Sequence, residues 1–198
     1  MTFTAQYLKE SAEVIARLDH APIERTAALL GALRAKGGRL FIVGMGGGAG
    51  HASHAVNDFR KIAGIETYSP CDNVSELTAR ANDEGLDTIY AAWLQVSRLS
   101  ANDMLMVFSV GGGDLERNIS SALVRAIEYA RSVGATITGV VGRDGGYTAR
   151  VADACVVVPT VNADNVTPHT ESFQALVWHL LVSHPEVKRA TNKWESQQ

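Results

Sequence analysis

The 198-residue sequence predicts an α/β protein built on a doubly wound, five-stranded parallel sheet with a helical N-terminal extension. Three observations predict it. Two continuous apolar runs, Leu40–Val43 and Met104–Phe108, break directly into glycine loops that open helices. Neither run alternates apolar with polar residues, so each suits a strand covered on both faces. From about residue 37 onward, strand-like runs alternate with helical periodicity, the order that produces parallel pairing.

The elements follow in order. Residues 4–36 show helical periodicity in two pieces, split at His20-Ala-Pro22, where Pro22 suits the first turn of a new helix. Tyr7, Val14, Ile15 and Leu18 line one side of the first piece. Because both pieces precede the first strand, they are not crossover helices, and their apolar faces, including Ile15 and Leu30, are expected to meet a second copy of the chain. Residues 1–36 are therefore assigned to oligomerisation, 37–185 to the sheet domain, and 186–198 to a loosely held tail.

Strand Leu40–Val43 leads into Gly44-Met-Gly-Gly-Gly-Ala-Gly50, where glycines permit a sharp turn and exposed N–H groups share the positive end of the next helix. Such a loop suits a phosphate; the alternative is a tight turn without a ligand. In the following helix, His51 to Ile62, the core stripe is Ala52, Val56, Phe59 and Ala63. His51, His54 and Asp58 form another stripe, at spacings of three and four. Ile65–Ser69 is a short strand, and Asp72–Asp83 is a polar loop rich in capping residues, followed by a helix from about Leu86 to Leu99. Met104–Phe108 opens on Ser109-Val-Gly-Gly-Gly-Asp114 and a helix through Ile119, Leu123, Ile127 and Tyr129. Thr136–Val141 and Ala154–Val158 complete the sheet, with Gly142-Arg-Asp-Gly-Gly146 between them. Pro168–Ser183 is the closing helix, with Phe173, Leu176, Val177 and Leu180 on one face and Glu171, Ala175 and His179 on another.

Composition narrows the function classes. Hydrophobic residues make up 46% and charged residues 20%, enough for a real core. The net charge of −3 provides no basic field for nucleic acid, and no run is apolar enough for a membrane span. Cys71 and Cys155 are isolated and no signal peptide is present, so the cytoplasm is the expected compartment and no disulfide is expected.

These pieces together resemble the sugar isomerase (SIS) domain, and specifically the phosphoheptose isomerases. The resemblance rests on the paired N-terminal helices, Gly44-Met-Gly-Gly-Gly-Ala-Gly-His-Ala-Ser-His54, Asn82-Asp83 before a Gly-x-Asp, Ser109-Val-Gly-Gly-Gly, Gly142-Arg-Asp-Gly-Gly146, Ala152-Asp153, and Glu171 with His179. It implies a flavodoxin-like sheet and a homotetramer with active sites at subunit boundaries. It also implies conversion of sedoheptulose 7-phosphate to the aldoheptose 7-phosphate, serving heptose biosynthesis. The family's catalytic glutamate falls on Asp58, one methylene shorter, its histidine on His179, and a glutamine before that histidine on Glu171. Gly46, Gly47, Gly48, Asn82, Asp83, Ser109, Gly111, Gly112, Gly113 and Glu171 are then the expected sugar-phosphate contacts. The family's first loop usually reads Gly-Asn-Gly-Gly-Ser and its phosphate loop Ser-Thr-Ser-Gly-Asn-Ser. Here Met45 and Gly48 replace the asparagine and serine, and Val110-Gly-Gly-Gly-Asp114 replaces most hydroxyls, with two extra residues before Asn118.

Ketose–aldose isomerisation through an enediol needs a base beside a carbonyl and a second group that moves protons on the oxygens, roles that fit Asp58 and His179. Some members of the family resemble zinc-assisted isomerases, and His54, Asp58, Glu171 and His179 are the candidate zinc ligands. His54 and Asp58 at i, i+4 can chelate one ion. Glu171 and His179 stand eight residues apart, about 12 Å on an unbroken helix, so they share an ion only if the helix starts after Glu171. His51 is a spare candidate; His20, His169 and His184 are taken as surface or cap residues. A non-catalytic sugar-phosphate-binding module needs neither Asp58 nor His179. A nucleotide-binding flavodoxin-like domain lacks a ribose-binding carboxylate and flavin-stacking aromatics here, so no nucleotide cofactor is expected.

Overall fold

The computed structural model describes residues 1–190. Five parallel strands, β1 Leu40–Gly44, β2 Thr67–Tyr68, β3 Met104–Ser109, β4 Thr136–Val141 and β5 Ala154–Val157, form one sheet in the order β2-β1-β3-β4-β5. This is the doubly wound order, with its switch point between β1 and β3, and it puts both predicted glycine loops at the same sheet edge. At the opposite edge Asp103 binds Arg39 through the Arg39 backbone N–H and guanidinium, tying the starts of β1 and β3 together.

Among the described residues, eight α-helices surround the sheet: α1 Phe3–Arg17, α2 Ala21–Ala35, α3 Gly47–Lys61, α4 Val74–Asp83, α5 Ile89–Val96, α6 Ser121–Ser132, α7 Gly146–Val151 and α8 Val166–Ser183. One sheet face buries Leu40, Ile42, Met104, Met106 and Phe108 against α2, α3 and α8, while the other buries Phe41, Val43, Leu105 and Val107 against α5 and α6. The alternation along each strand follows from the period of two in a pleated strand.

The expectation for the N-terminal helices is corrected here. Ile23, Ala27, Leu30 and Leu33 of α2 are core residues of the chain itself, packed with the sheet, and Leu30 is wholly buried. Helices preceding a first strand can still cover its sheet: α2 packs against the edge strand β5 alongside the crossover helix α7. Of the two N-terminal helices, α1 alone keeps an open apolar face, with Phe3, Leu8 and Ile15 exposed. It is held to the body by Val14 and by Glu10. The Glu10 carboxylate accepts hydrogen bonds from Gln6, Asn162 and Asn165 and pairs with His169 Nε2 at 3.0 Å. His169, expected at the surface, is buried with its ring stacked on Tyr7. The His169 imidazole and the three amides hold the Glu10 carboxyl well below the usual range, at about 2.

Other differences are local. Within Asp72–Asp83, expected as a loop, Val74–Asp83 is helix α4, because Asn73 caps it through the Glu76 N–H and Glu76–Arg80–Glu84 form ion pairs along its length. Helix α7 was not expected, and Ile119 lies before α6 rather than on it. Past Pro185 the chain is docked, not loose: Val187 is buried, Arg34 binds the Glu186 and Val187 carbonyls, and the Arg189 and Ala190 N–H groups reach Ile62. Residues 191–198 of the predicted tail lie outside the described residues.

Candidate active site

Helix α3 starts directly from β1 because Gly46 takes φ +59° and Gly44 and Gly48 lie so close that a Cβ on Gly44 would meet the Gly48 carbonyl at 2.2 Å. A Cβ on Gly48 would meet the Phe108 carbonyl at 2.5 Å, so this glycine serves packing between α3 and β3. At Gly47 a Cβ would lie 2.4 Å from the Glu171 carboxylate. Glu171 of α8 therefore stands at the positive end of α3, where an anion is favoured.

Eleven residues further along α3, about 16 Å at 1.5 Å per residue, is a second cluster. Asp58 is buried, and its Oδ2 accepts the Trp178 indole N–H at 3.0 Å. The same oxygen lies 3.4 Å from His179 Nε2 and 3.7 Å from His54 Nε2. His179 donates its Nδ1–H to the Ala175 carbonyl at 2.7 Å, which leaves Nε2 as the nitrogen facing Asp58. In neutral His179 that nitrogen is a lone pair aimed toward a carboxylate oxygen. A proton or a cation between them makes the arrangement favourable.

The ligand atoms of His54, Asp58 and His179 all lie within 4.8 Å of one another. Two ligands each 2.0–2.1 Å from a tetrahedral zinc stand about 3.3 Å apart, close to the separations seen, and the imidazole–carboxylate set suits that ion. The backbone bond to His179 Nδ1 is the kind of second contact that orients a ligating imidazole. Glu171 does not join this group. Helix α8 runs unbroken from Val166 to Ser183, so its eight-residue separation from His179 holds the two apart.

The second glycine loop is closed by hydrogen bonds within itself and to α7. Ser109 is buried, and its Oγ accepts the Gly112 N–H at 3.0 Å. Gly112 at φ +69° and Gly113 at φ +80° pack against the β4–α7 turn, where the Thr148 N–H and hydroxyl bind the Gly112 carbonyl. Of this loop, Gly111 is the glycine with open space beside it; a Cβ there would have only Arg143 Cδ near, at 3.8 Å. Gly111 and Gly113 line a cavity of about 520 Å³ together with Arg117, Ser120, Arg143 and Arg150. Asp114 lines the same cavity and forms an ion pair with Arg117. Asn82 and Asp83 are exposed at the end of α4 and bond to each other. The hollow beside the first loop is lined instead by Met45, Cys71, Leu77, Leu86 and Tyr90.

Comparison with known proteins gives the family. The SIS domain model covers residues 5–142. A phosphoheptose isomerase of Rhodospirillum rubrum is 32% identical over 183 residues, spanning 88% of this chain and 91% of that protein. The chain belongs to the SIS-domain phosphoheptose isomerase family. The lincomycin biosynthesis protein LmbN of Streptomyces lincolnensis is 33% identical to this SIS protein over 159 residues, 75% of the chain, and the match spans 56% of LmbN's own length. In shape, the SIS protein is similar to phosphoheptose isomerase GmhA from Neisseria gonorrhoeae, with a TM-score of 0.77 at 22% identity, covering 91% of this chain and 92% of that one.

Two residues of the cluster escaped the sequence reading. Trp178 sits beside His179 in sequence, and only the packing of α8 on α3 turns its N–H to Asp58. Gln174 is wholly buried, donates Nε2–H to the Val140 carbonyl and accepts from His51 Nδ1, so it fixes the tautomer of His51. A buried amide on the core face of an apolar helix is the signal that could have found it.

Proposed function

We propose that the protein is an aldose–ketose isomerase that converts sedoheptulose 7-phosphate to D-glycero-D-manno-heptose 7-phosphate through an enediol, in the cytoplasm. The observation that carries the reading is the meeting of Asp58, His179 and His54 on facing helices, in a chain whose relatives include phosphoheptose isomerases. Asp58 removes the proton beside the carbonyl, and His179 moves protons between the sugar oxygens. Two hydrogen bonds, from Trp178 and Asn57, hold the carboxylate in place. His54, Asp58 and His179 would also hold a zinc ion, which would polarise the carbonyl and stabilise negative charge on its oxygen; with zinc bound, Asp58 would keep Oδ1 for the proton, and His179, whose Nδ1 is bonded to the Ala175 carbonyl, would serve as a ligand and not as the proton carrier.

Substrate length supports a shared site. From phosphorus to the second carbon of a heptulose 7-phosphate an extended chain covers about 8 Å, at about 1.2 Å per bond. Asp58 stands about 16 Å along α3 from that helix's N-terminus, which Glu171 already occupies. The phosphate of a sugar at Asp58 therefore falls short of that helix end, which supports the reading that groups from another copy, in a homotetramer, bind it. Around the cluster, Leu176 and Leu180 are exposed beside His179, as is the outer face of α1, and burying them stabilises assembly by about 25 cal/mol per Å². Asp58→Asn and His179→Gln test the reading: each is expected to bind the sugar phosphate and to lose turnover by about two to four decades. Turnover at the parent rate in either variant removes that residue from the mechanism.

A further inference from the structure

We propose that Trp178 is a positioning residue of the isomerase: its indole N–H holds the Asp58 carboxylate in the orientation that lets a short side chain act as the base. The proposal rests on the assignment of Asp58 to that role.

Trp178 is buried, and its Nε1 lies 3.0 Å from Asp58 Oδ2. Tryptophan only donates, so this hydrogen bond persists whichever protonation states His54 and His179 adopt. A bond from a buried donor to an ionised oxygen is among the stronger kinds, and the enclosed setting strengthens it further. The second oxygen is held as well, by Asn57 Nδ2 at 3.0 Å. Aspartate has one methylene fewer than glutamate, so its carboxylate reaches less far from the helix, and a small rotation withdraws it from a substrate at the surface. Two donors, one per oxygen, restrict that freedom, the buried Trp178 more firmly than the exposed Asn57.

The ring itself is packed among aromatic neighbours. Trp178 packs on Phe108 at 5.8 Å between centroids, and on His51, His54 and His179 at 5.1, 5.4 and 4.8 Å. Phe108 is the penultimate residue of β3, so the indole links the Asp58 cluster to the sheet edge. His51 is in turn fixed through Gln174 to the Val140 carbonyl of β4. The carboxylate orientation is thus referred to two central strands rather than to the exposed ends of α3 and α8.

Trp178→Phe keeps an aromatic ring and deletes the donor. The expected result is a fall in kcat of about tenfold to a hundredfold, with KM within about twofold, the range for one hydrogen bond to a charged group. In an Asp58→Ala background the same change should alter residual turnover by less than about threefold, because the group that Trp178 positions is gone. The indole N–H resonance of Trp178, read by 15N–1H NMR, should move upfield in Asp58→Ala. Should Trp178→Phe repack, replacing the residue by its benzothiophene isostere retains both rings without the donor, and the same kcat loss is expected. An unchanged kcat, an equal loss in both backgrounds, or an unmoved indole resonance overturns the proposal. If Asp58→Ala itself turns over at the parent rate, the base assignment falls and takes the proposal with it; an inactive Asp58→Ala with an unaffected Trp178→Phe overturns the proposal alone.

Discussion

Gly111 and Gly112 are neighbours in one loop, yet their surroundings predict opposite responses to a single methyl group. At Gly112 an added Cβ would lie 2.0 Å from the Gly145 carbonyl oxygen and 2.6 Å from its carbon, backbone atoms that no rotamer change can move. The residue's φ of +69° adds about 1–2 kcal/mol for any L side chain. Relieving the clash means moving the β4–α7 turn away, which breaks the two hydrogen bonds from Thr148 to the Gly112 carbonyl at about 1 kcal/mol each. Gly112→Ala should therefore cost about 3–4 kcal/mol, measured by urea unfolding at 25 °C. Gly111→Ala, facing open space, should stay within about 0.5 kcal/mol of the parent, as surface substitutions do. A Gly112→Ala protein within about 1 kcal/mol of the parent would show that the loop does not need this glycine, and would restore it as a candidate phosphate contact.

Three further outcomes follow from the packing and the charges. Leu30→Ala should destabilise the chain by about 2–5 kcal/mol, the cost of truncating a wholly buried leucine, whereas Ile15→Glu should leave the fold intact and lower the sedimenting mass. Because the folded-state pKa of Glu10 is depressed to about 2, its contribution is present above the unfolded value near 4.5 and is lost as the pH falls toward 2. Acid-unfolding curves of the parent and Glu10→Gln should accordingly differ at neutral pH and converge near pH 2; curves offset equally at both ends would contradict the pairing. Zinc titrated into the protein by calorimetry should bind at one site per chain and be weakened at least tenfold by His54→Ala, but little by Glu171→Gln.

Much of the sheet was legible because buried parallel strands are written as continuous apolar runs. β1, β3 and β4 fell within a residue of expectation, since nothing competes with that signal. Helix α4 was not legible: its Asn, Ser, Thr and Asp residues favour caps and turns locally, and its i, i+4 ion pairs and N-cap decide the outcome. The covering role of α2 was missed because chain order says nothing about which helix lies over the edge strand β5. In the site, the stripe of His54 and Asp58 followed from helical spacing, and the arithmetic that separated Glu171 from His179 held once α8 proved continuous. What spacing could not give was the pairing between helices: Trp178 with Asp58, Gln174 with His51, and His169 with Glu10 are each joined by more than a hundred residues of chain.

The central claim is that this chain moves a proton between adjacent carbons of a heptose phosphate. Incubation with sedoheptulose 7-phosphate in D2O, followed by 1H NMR, tests it most directly, because an enediol formed by a base exchanges its proton with solvent. The expected result is a growing aldose signal with deuterium at the second carbon, and neither change with Asp58→Asn. Sedoheptulose 7-phosphate that binds but stays unconverted and undeuterated would contradict it and leave the protein a sugar-phosphate-binding module.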